Sequence, residues 1–90
     1  MNMKNTKAND VRQNIIAIVS RITRMDQSGI GDDVLIREEL GIDSLMAIEI
    51  VANIEKFYNV AIDESILLGV ETVGDFIEII HTVVLEKDIS

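Results

Sequence analysis

Ser44, His81 and the acidic pairs Asp32-Asp33, Glu38-Glu39 and Asp63-Glu64 are the side chains whose types and spacing bear on chemistry in this chain of 90 residues. A serine hydrolase needs a base beside its nucleophile and a hole for the oxyanion. Here there is a single His and no Gly-x-Ser-x-Gly elbow around Ser44. His81 falls beside an apolar stripe and reads as a partly exposed helix residue. None of the acidic pairs has the Asp-x-Asp-x-Asp-Gly spacing that brings several ligands to one calcium ion, so they read as solvated surface. Gly29 and Gly31 lack the rest of either nucleotide-binding signature. Cysteine is absent, so thiol chemistry requires a thiol supplied by a cofactor. The residues do not assemble a self-contained enzyme.

Ser44 does have a distinctive place. In Leu40-Gly41-Ile42-Asp43-Ser44-Leu45, Gly41 permits a tight approach of the chain, Asp43 is a good helix N-cap, and an apolar helical pattern starts at Leu45. Ser44 is then the first or second residue of a helix. Free backbone N–H groups and the positive end of the helix dipole favour a phosphate on or beside the serine oxygen there. On the residues alone, a serine chosen for capping explains the dipeptide too.

The elements that must position this serine are helical. Hydrophobic residues are 48% of the chain and aromatics 3%, so the core is built mainly from Ile, Val and Leu. The expected fold is all-α, a small four-helix bundle with a long loop between helices 1 and 2 and a short third helix. Residues 1–8 are polar and read as a disordered tail, leaving one domain over residues 9–87. Asp10 and Gln13 resemble a capping box that opens a first helix running to about Met25. From Asp26 to Asp43 periodicity fades; Ile36 and Leu40 are the candidate anchors of this loop, with a short helical turn near Val34 to Glu39. Asp63 can cap the short helix, which ends at Gly69. Thr72 and Asp75 repeat the capping pattern ahead of a last helix over about Val73 to Leu85.

The second helix, Ser44 to about Tyr58, carries more apolar surface than one core needs. Ala47, Ile50, Val51, Ile54, Phe57 and Tyr58 make a core stripe, yet Leu45, Met46, Ile48 and Ala52 are also apolar and point elsewhere. Either the helix is buried on two sides or the second stripe is a docking surface flanked by carboxylates. Charge is uneven: residues 1–31 hold five basic and two acidic side chains, and residues 32–90 hold three basic and fourteen acidic. Such a surface repels nucleic acid and anionic membrane and attracts basic partners; solubility is the plainer explanation. No segment approaches the roughly 18 apolar residues of a membrane span, which places the protein in the cytoplasm.

The run Leu40-Gly41-Ile42-Asp43-Ser44-Leu45, followed by Met46-Ala47-Ile48-Glu49 and later Phe57, resembles the signature of acyl and peptidyl carrier domains. The resemblance extends to Ile36 and Glu39 upstream and to Asp63-Glu64 and Thr72-Val73-Gly74-Asp75 downstream, covering about Asp10 to Leu85. It implies that a phosphopantetheinyl transferase esterifies Ser44 with 4′-phosphopantetheine from coenzyme A. Acyl chains would ride on that arm as thioesters, and Asp43 would help hold the transferase's magnesium. Leu45, Met46, Ile48 and Ala52, with Glu49 and Glu55, become the docking face for acyl-loading and acyl-processing enzymes with basic patches. The implied protein is a monomeric, non-catalytic carrier in fatty acid, polyketide or related acyl biosynthesis, without nucleic acid or membrane partners. Met46 stands where housekeeping fatty-acid carriers have an acidic residue, and Lys56 falls in an often acidic run. In both respects the chain looks more like carriers of polyketide or other specialised assembly lines. Peptidyl carriers, with Gly-Gly-x-Ser in place of Ile42-Asp43-Ser44, are less similar. The rival expectation is an acidic helical adaptor that binds a basic partner through its second helix and carries no cofactor.

Overall fold

A computed structural model describes residues 7–89 and contains three α-helices: α1 (Lys7–Thr23), α2 (Ser44–Tyr58) and α3 (Val73–Ile89). Two 3-10 helices, Gln27–Gly29 and Glu64–Gly69, lie in the connections. The all-α class agrees with the sequence reading, whereas the four-helix count does not. Only five residues separate the Asp63 cap from Gly69, too few to offset the cost of nucleating an α-helix, and the segment closes as a 3-10 helix instead. The predicted cap itself forms: Asp63 accepts from the Ser65 N–H at 3.0 Å, which holds its carboxyl below the usual carboxylate range.

Helix α1 starts at Lys7, so Asp10 lies within its first turn, where its charge suits the dipole, rather than at the N-cap. Of the expected tail, Lys7 and Ala8 are helical and residues 1–6 lie outside the described residues. At the other end α1 stops at Thr23. Arg24 adopts the left-handed conformation (φ 63°), and its N–H donates to the Ser20 carbonyl at 2.7 Å. Helix α3 runs a turn beyond the expected Leu85.

The core is mainly aliphatic. Val11, Ile15, Ile18 and Val19 of α1 meet Ile50, Val51 and Ile54 of α2 and Val73, Phe76, Ile77, Ile80 and Val84 of α3. α1 packs closely on both other helices, whose backbones approach each other at few points among the described residues. α2 buries Ile50, Val51 and Ile54 on one face and exposes Leu45, Ile48, Glu49 and Ala52 on another. Phe57, expected in the core stripe, is 61% exposed. Tyr58 takes the inward place; its hydroxyl accepts from Asn14 Nδ2 at 2.8 Å, and Phe57 rests edge-on against its ring.

The long connection from Arg24 to Asp43 is anchored by three buried side chains, Ile30, Leu40 and Ile42, while Ile36 is half-buried. Its backbone is joined to the start of α3. Leu35 and Thr72 form an isolated antiparallel bridge, and the Ile36 N–H donates to Glu71 O at 2.9 Å. In the reverse direction the Val73 and Gly74 N–H groups donate to Val34 O at 3.0 Å and Asp32 O at 2.9 Å. A Cβ at Gly74 would stand 3.1 Å from Asp32 O, so only glycine allows this approach without displacement. Arg12 of α1 pairs with the Asp32 carboxylate, which ties the same point to the third wall of the fold.

The capping box at α3 is reciprocal: the Asp75 N–H donates to Thr72 Oγ1 at 3.1 Å, while Asp75 Oδ2 accepts from the Thr72 and Glu71 N–H groups at 3.3 Å each. Those two amides, Thr72 first, hold the Asp75 carboxyl below its ordinary 3.8. A depressed folded value means that this stabilisation is fully present above about pH 4 and is lost as pH falls through the lower folded value. In thermal melts from pH 6 to pH 2, Asp75→Ala should melt below the parent by a constant margin above pH 4, and the margin should narrow in acid. An equal margin at both ends would refute the ionic contribution.

Candidate functional site

The chain enters α2 through a constrained turn. Glu39 Oε1 accepts from the Leu35 N–H at 2.7 Å, and the Glu39 and Leu40 N–H groups return to Leu35 O. Gly41 follows in the left-handed region (φ 66°), with its N–H on Arg37 O at 3.1 Å, between the buried anchors Leu40 and Ile42. A residue with a side chain would be strained at that φ, so Gly41 is what lets two neighbouring anchors both turn inward. Asp43 then caps α2 as expected. It is extended, its Oδ1 accepts from the Met46 N–H at 2.9 Å, and its carbonyl accepts from the Ala47 N–H. Ser44 is the first residue of α2 and is exposed.

Beneath Ser44 lies a cavity of about 310 Å³ between α2, the second 3-10 helix and the start of α3. Exposed Ser44, Ile48 and Leu68 line it together with buried Ile42, Val51, Ile62 and Phe76, so it runs from the surface at the helix start into the core. Its size lies at the lower end of small-molecule sites, and its walls are mostly aliphatic. Nothing in the sequence pattern measures such a space. Leu68 is 82% exposed at its edge, and the sequence reading did not single it out.

The predicted docking residues separate into three environments. Leu45 (76% exposed), Ile48, Glu49 and Ala52 face solvent, which answers the question of whether α2 is buried on two sides. Met46 is half-buried and packs on the core. Glu55 is also half-buried, and its carboxylate Oε2 accepts from the Ile62 N–H at 2.8 Å instead of standing free at a rim. His81 is half-buried on α3, away from this constellation in the chain. No cluster of three potential metal ligands occurs, and no helix is long and apolar enough to cross a membrane, among the described residues.

Residues 13–80 match the family model described as a phosphopantetheine attachment site, a span that contains Ser44. An acyl carrier protein of Onion yellows phytoplasma is 34% identical over 67 residues, covering 74% of this chain and 88% of that protein. One from Prochlorococcus marinus is 28% identical over 72 residues, 80% of this chain and 90% of that protein. The solved structure of an acyl carrier protein from Mycobacterium tuberculosis superposes with a TM-score of 0.70 at 28% identity, covering 86% of this chain and 97% of that one. The chain belongs to the acyl carrier protein family, whose members are non-catalytic carriers bearing covalently attached 4′-phosphopantetheine.

Asp43 and Ser44 should separate cleanly in stability measurements. Asp43→Ala removes the α2 cap and should cost about 0.5–2 kcal/mol in urea unfolding. Ser44→Ala, at an exposed first position whose N–H has no helical partner, should stay within about 0.5 kcal/mol of the parent. A large loss from Ser44→Ala would make that serine a structural residue.

Proposed function

We propose that the Ser44 hydroxyl is the attachment point of 4′-phosphopantetheine and that the protein presents acyl chains to partner enzymes in fatty acid, polyketide or related acyl biosynthesis. The observation that carries this reading is the position of Ser44: exposed, first in α2, and at the edge of an apolar cavity. A phosphodiester on its oxygen would lie against the amide-rich, positive end of the helix. When bound, the arm supplies the thiol that the chain lacks. Attachment forms the Ser44 Oγ–phosphorus bond as the phosphoanhydride of coenzyme A breaks, and adenosine 3′,5′-bisphosphate departs. The hydroxyl proton goes to a base of the transferase. Asp43 commits Oδ1 to the Met46 amide, which leaves Oδ2 for a magnesium ion held by the transferase.

An aliphatic cargo suits the cavity lining, with Ile42, Val51, Ile62 and Phe76 as its inner walls. Leu45, Ile48 and Ala52 supply an exposed apolar stripe for partner enzymes, and Glu49 is the carboxylate beside it that a basic patch would meet. Met46 contributes mainly to packing, and Glu55 is engaged by the backbone. The same reading places the protein, as a monomer, in the cytoplasm.

Incubated with coenzyme A, magnesium and a broad-specificity phosphopantetheinyl transferase, the protein should gain the mass of one phosphopantetheinyl group, and Ser44→Ala should gain none. An unmodified parent would defeat the reading and leave an adaptor without cofactor. For the docking face, Glu49→Lys should slow acyl transfer from partner enzymes at low salt by about ten-fold while leaving the thermal midpoint nearly unchanged. A sharp fall in the midpoint would instead make Glu49 a structural residue.

A further inference from the structure

Glu55 organises the chain that leaves α2. Its carbonyl oxygen accepts from the Asn59 and Val60 N–H groups, with Asn59 in the left-handed conformation. Its carboxylate reaches further and takes the Ile62 N–H. Ile62 is buried, and the next residue, Asp63, caps the 3-10 helix that carries Leu67 and Leu68. Glu55, Ile62, Leu67 and Leu68 all line the cavity under Ser44. Among the described residues, that wall of the cavity is thus joined to α2 through one side-chain hydrogen bond, in a stretch without regular structure.

We propose that Glu55 is a positioning residue for the cargo: by holding the Ile62 amide it fixes the segment 59–69 over the cavity, and so sets how well an aliphatic chain borne on Ser44 is shielded from water. This rests on the reading of Ser44 as the attachment point. Without the acceptor, the Ile62 N–H stays unsatisfied in a partly buried place, a cost relieved only when the segment moves outward and water reaches the amide. Outward movement opens the cavity, because Ile62, Leu67 and Leu68 of that segment are among its walls. A carboxylate makes this bond stronger than a neutral acceptor would, but the geometry needs only an oxygen lone pair at that reach. Glutamine therefore retains the function and alanine loses it. Aspartate keeps the charge and falls one methylene short.

The test uses the parent, Glu55→Ala, Glu55→Asp and Glu55→Gln, each as unmodified protein and each loaded from acetyl- and octanoyl-coenzyme A by the transferase. Amide hydrogen exchange at Ile62 in the unmodified proteins reads the bond itself. It should be roughly ten-fold faster or more in Glu55→Ala and Glu55→Asp, and near parental in Glu55→Gln. Thioester cleavage by hydroxylamine reads the shielding. In the parent the octanoyl arm should be cleaved several-fold more slowly than the acetyl arm; the two rates should converge in Glu55→Ala and Glu55→Asp and separate again in Glu55→Gln. Faster Ile62 exchange with an unchanged ratio of the two cleavage rates overturns the proposal, as does Ile62 exchange that ignores the substitution. Should Glu55→Ala fail to fold, Glu55→Asp decides by the same criteria. A parent that is never loaded overturns the reading of Ser44 and this proposal with it, while a loaded parent with equal cleavage rates overturns the shielding alone.

Discussion

The seam between the long connection and the start of α3 is the constraint on which the rest of the structure depends. Residues 24–43 carry one short 3-10 helix and no ladder of their own, so their backbone groups need partners elsewhere. They find them on Glu71, Val73 and Gly74, and the Arg12–Asp32 pair extends the attachment to α1. Fixing this connection at one end and burying Leu40 and Ile42 at the other delivers Asp43 to the N-cap of α2 in an extended conformation. Ser44 is exposed because the residues on both sides of the turn before it are held, not because the turn is loose.

The same need for acceptors accounts for part of the acidity. Asp26, Glu39, Asp43, Glu55, Asp63 and Asp75 each accept from a backbone N–H in or beside a connection. Such bonds are charge-assisted and stand in for the ladder that the connections lack. The excess of fourteen acidic over three basic side chains in residues 32–90 is therefore not all a recognition surface. Glu49, on the open face of α2, is a different case from Glu55, six residues further on and turned to the backbone.

Local signals made α2 and its cap legible, because Asp43, Ser44 and the apolar period that follows lie within a few residues of one another. The α2 boundaries and the Thr72–Asp75 box both agree with the sequence reading for that reason. Helix type and the first helix's start were less legible. Asp63-to-Gly69 has a cap and apolar residues but not the length that decides between α and 3-10, and Asp10 has capping chemistry that α1 overrides by starting at Lys7. Contacts distant in sequence were not legible at all. Ile30 and Ile42 gave only the weak signal of lone isoleucines beside glycines, and Gly74 gave no sign that Asp32 would approach it. Phe57 was misplaced because a helical period cannot tell which of two adjacent aromatics faces inward; Asn14, far away in the chain, decides in favour of Tyr58.

Stability and display are carried by different faces of α2. Ile54, with no exposed surface, and its neighbours Ile50 and Val51 belong to the three-helix core, and that contact is complete without Leu45, Ile48 or Leu68. Apolar side chains left in water contribute little to folding, so their clustering around Ser44 is not explained by the core. Substitutions on this outer stripe leave undisturbed the packing that positions the serine. The cavity differs in this respect: its inner walls are the core's own Ile42, Val51, Ile62 and Phe76, so truncating any of these to widen it also removes packing. Polar bonds at its edge, such as the one from Ile62 to Glu55, can alter the opening at less cost to the interior, and the control of access therefore falls to them.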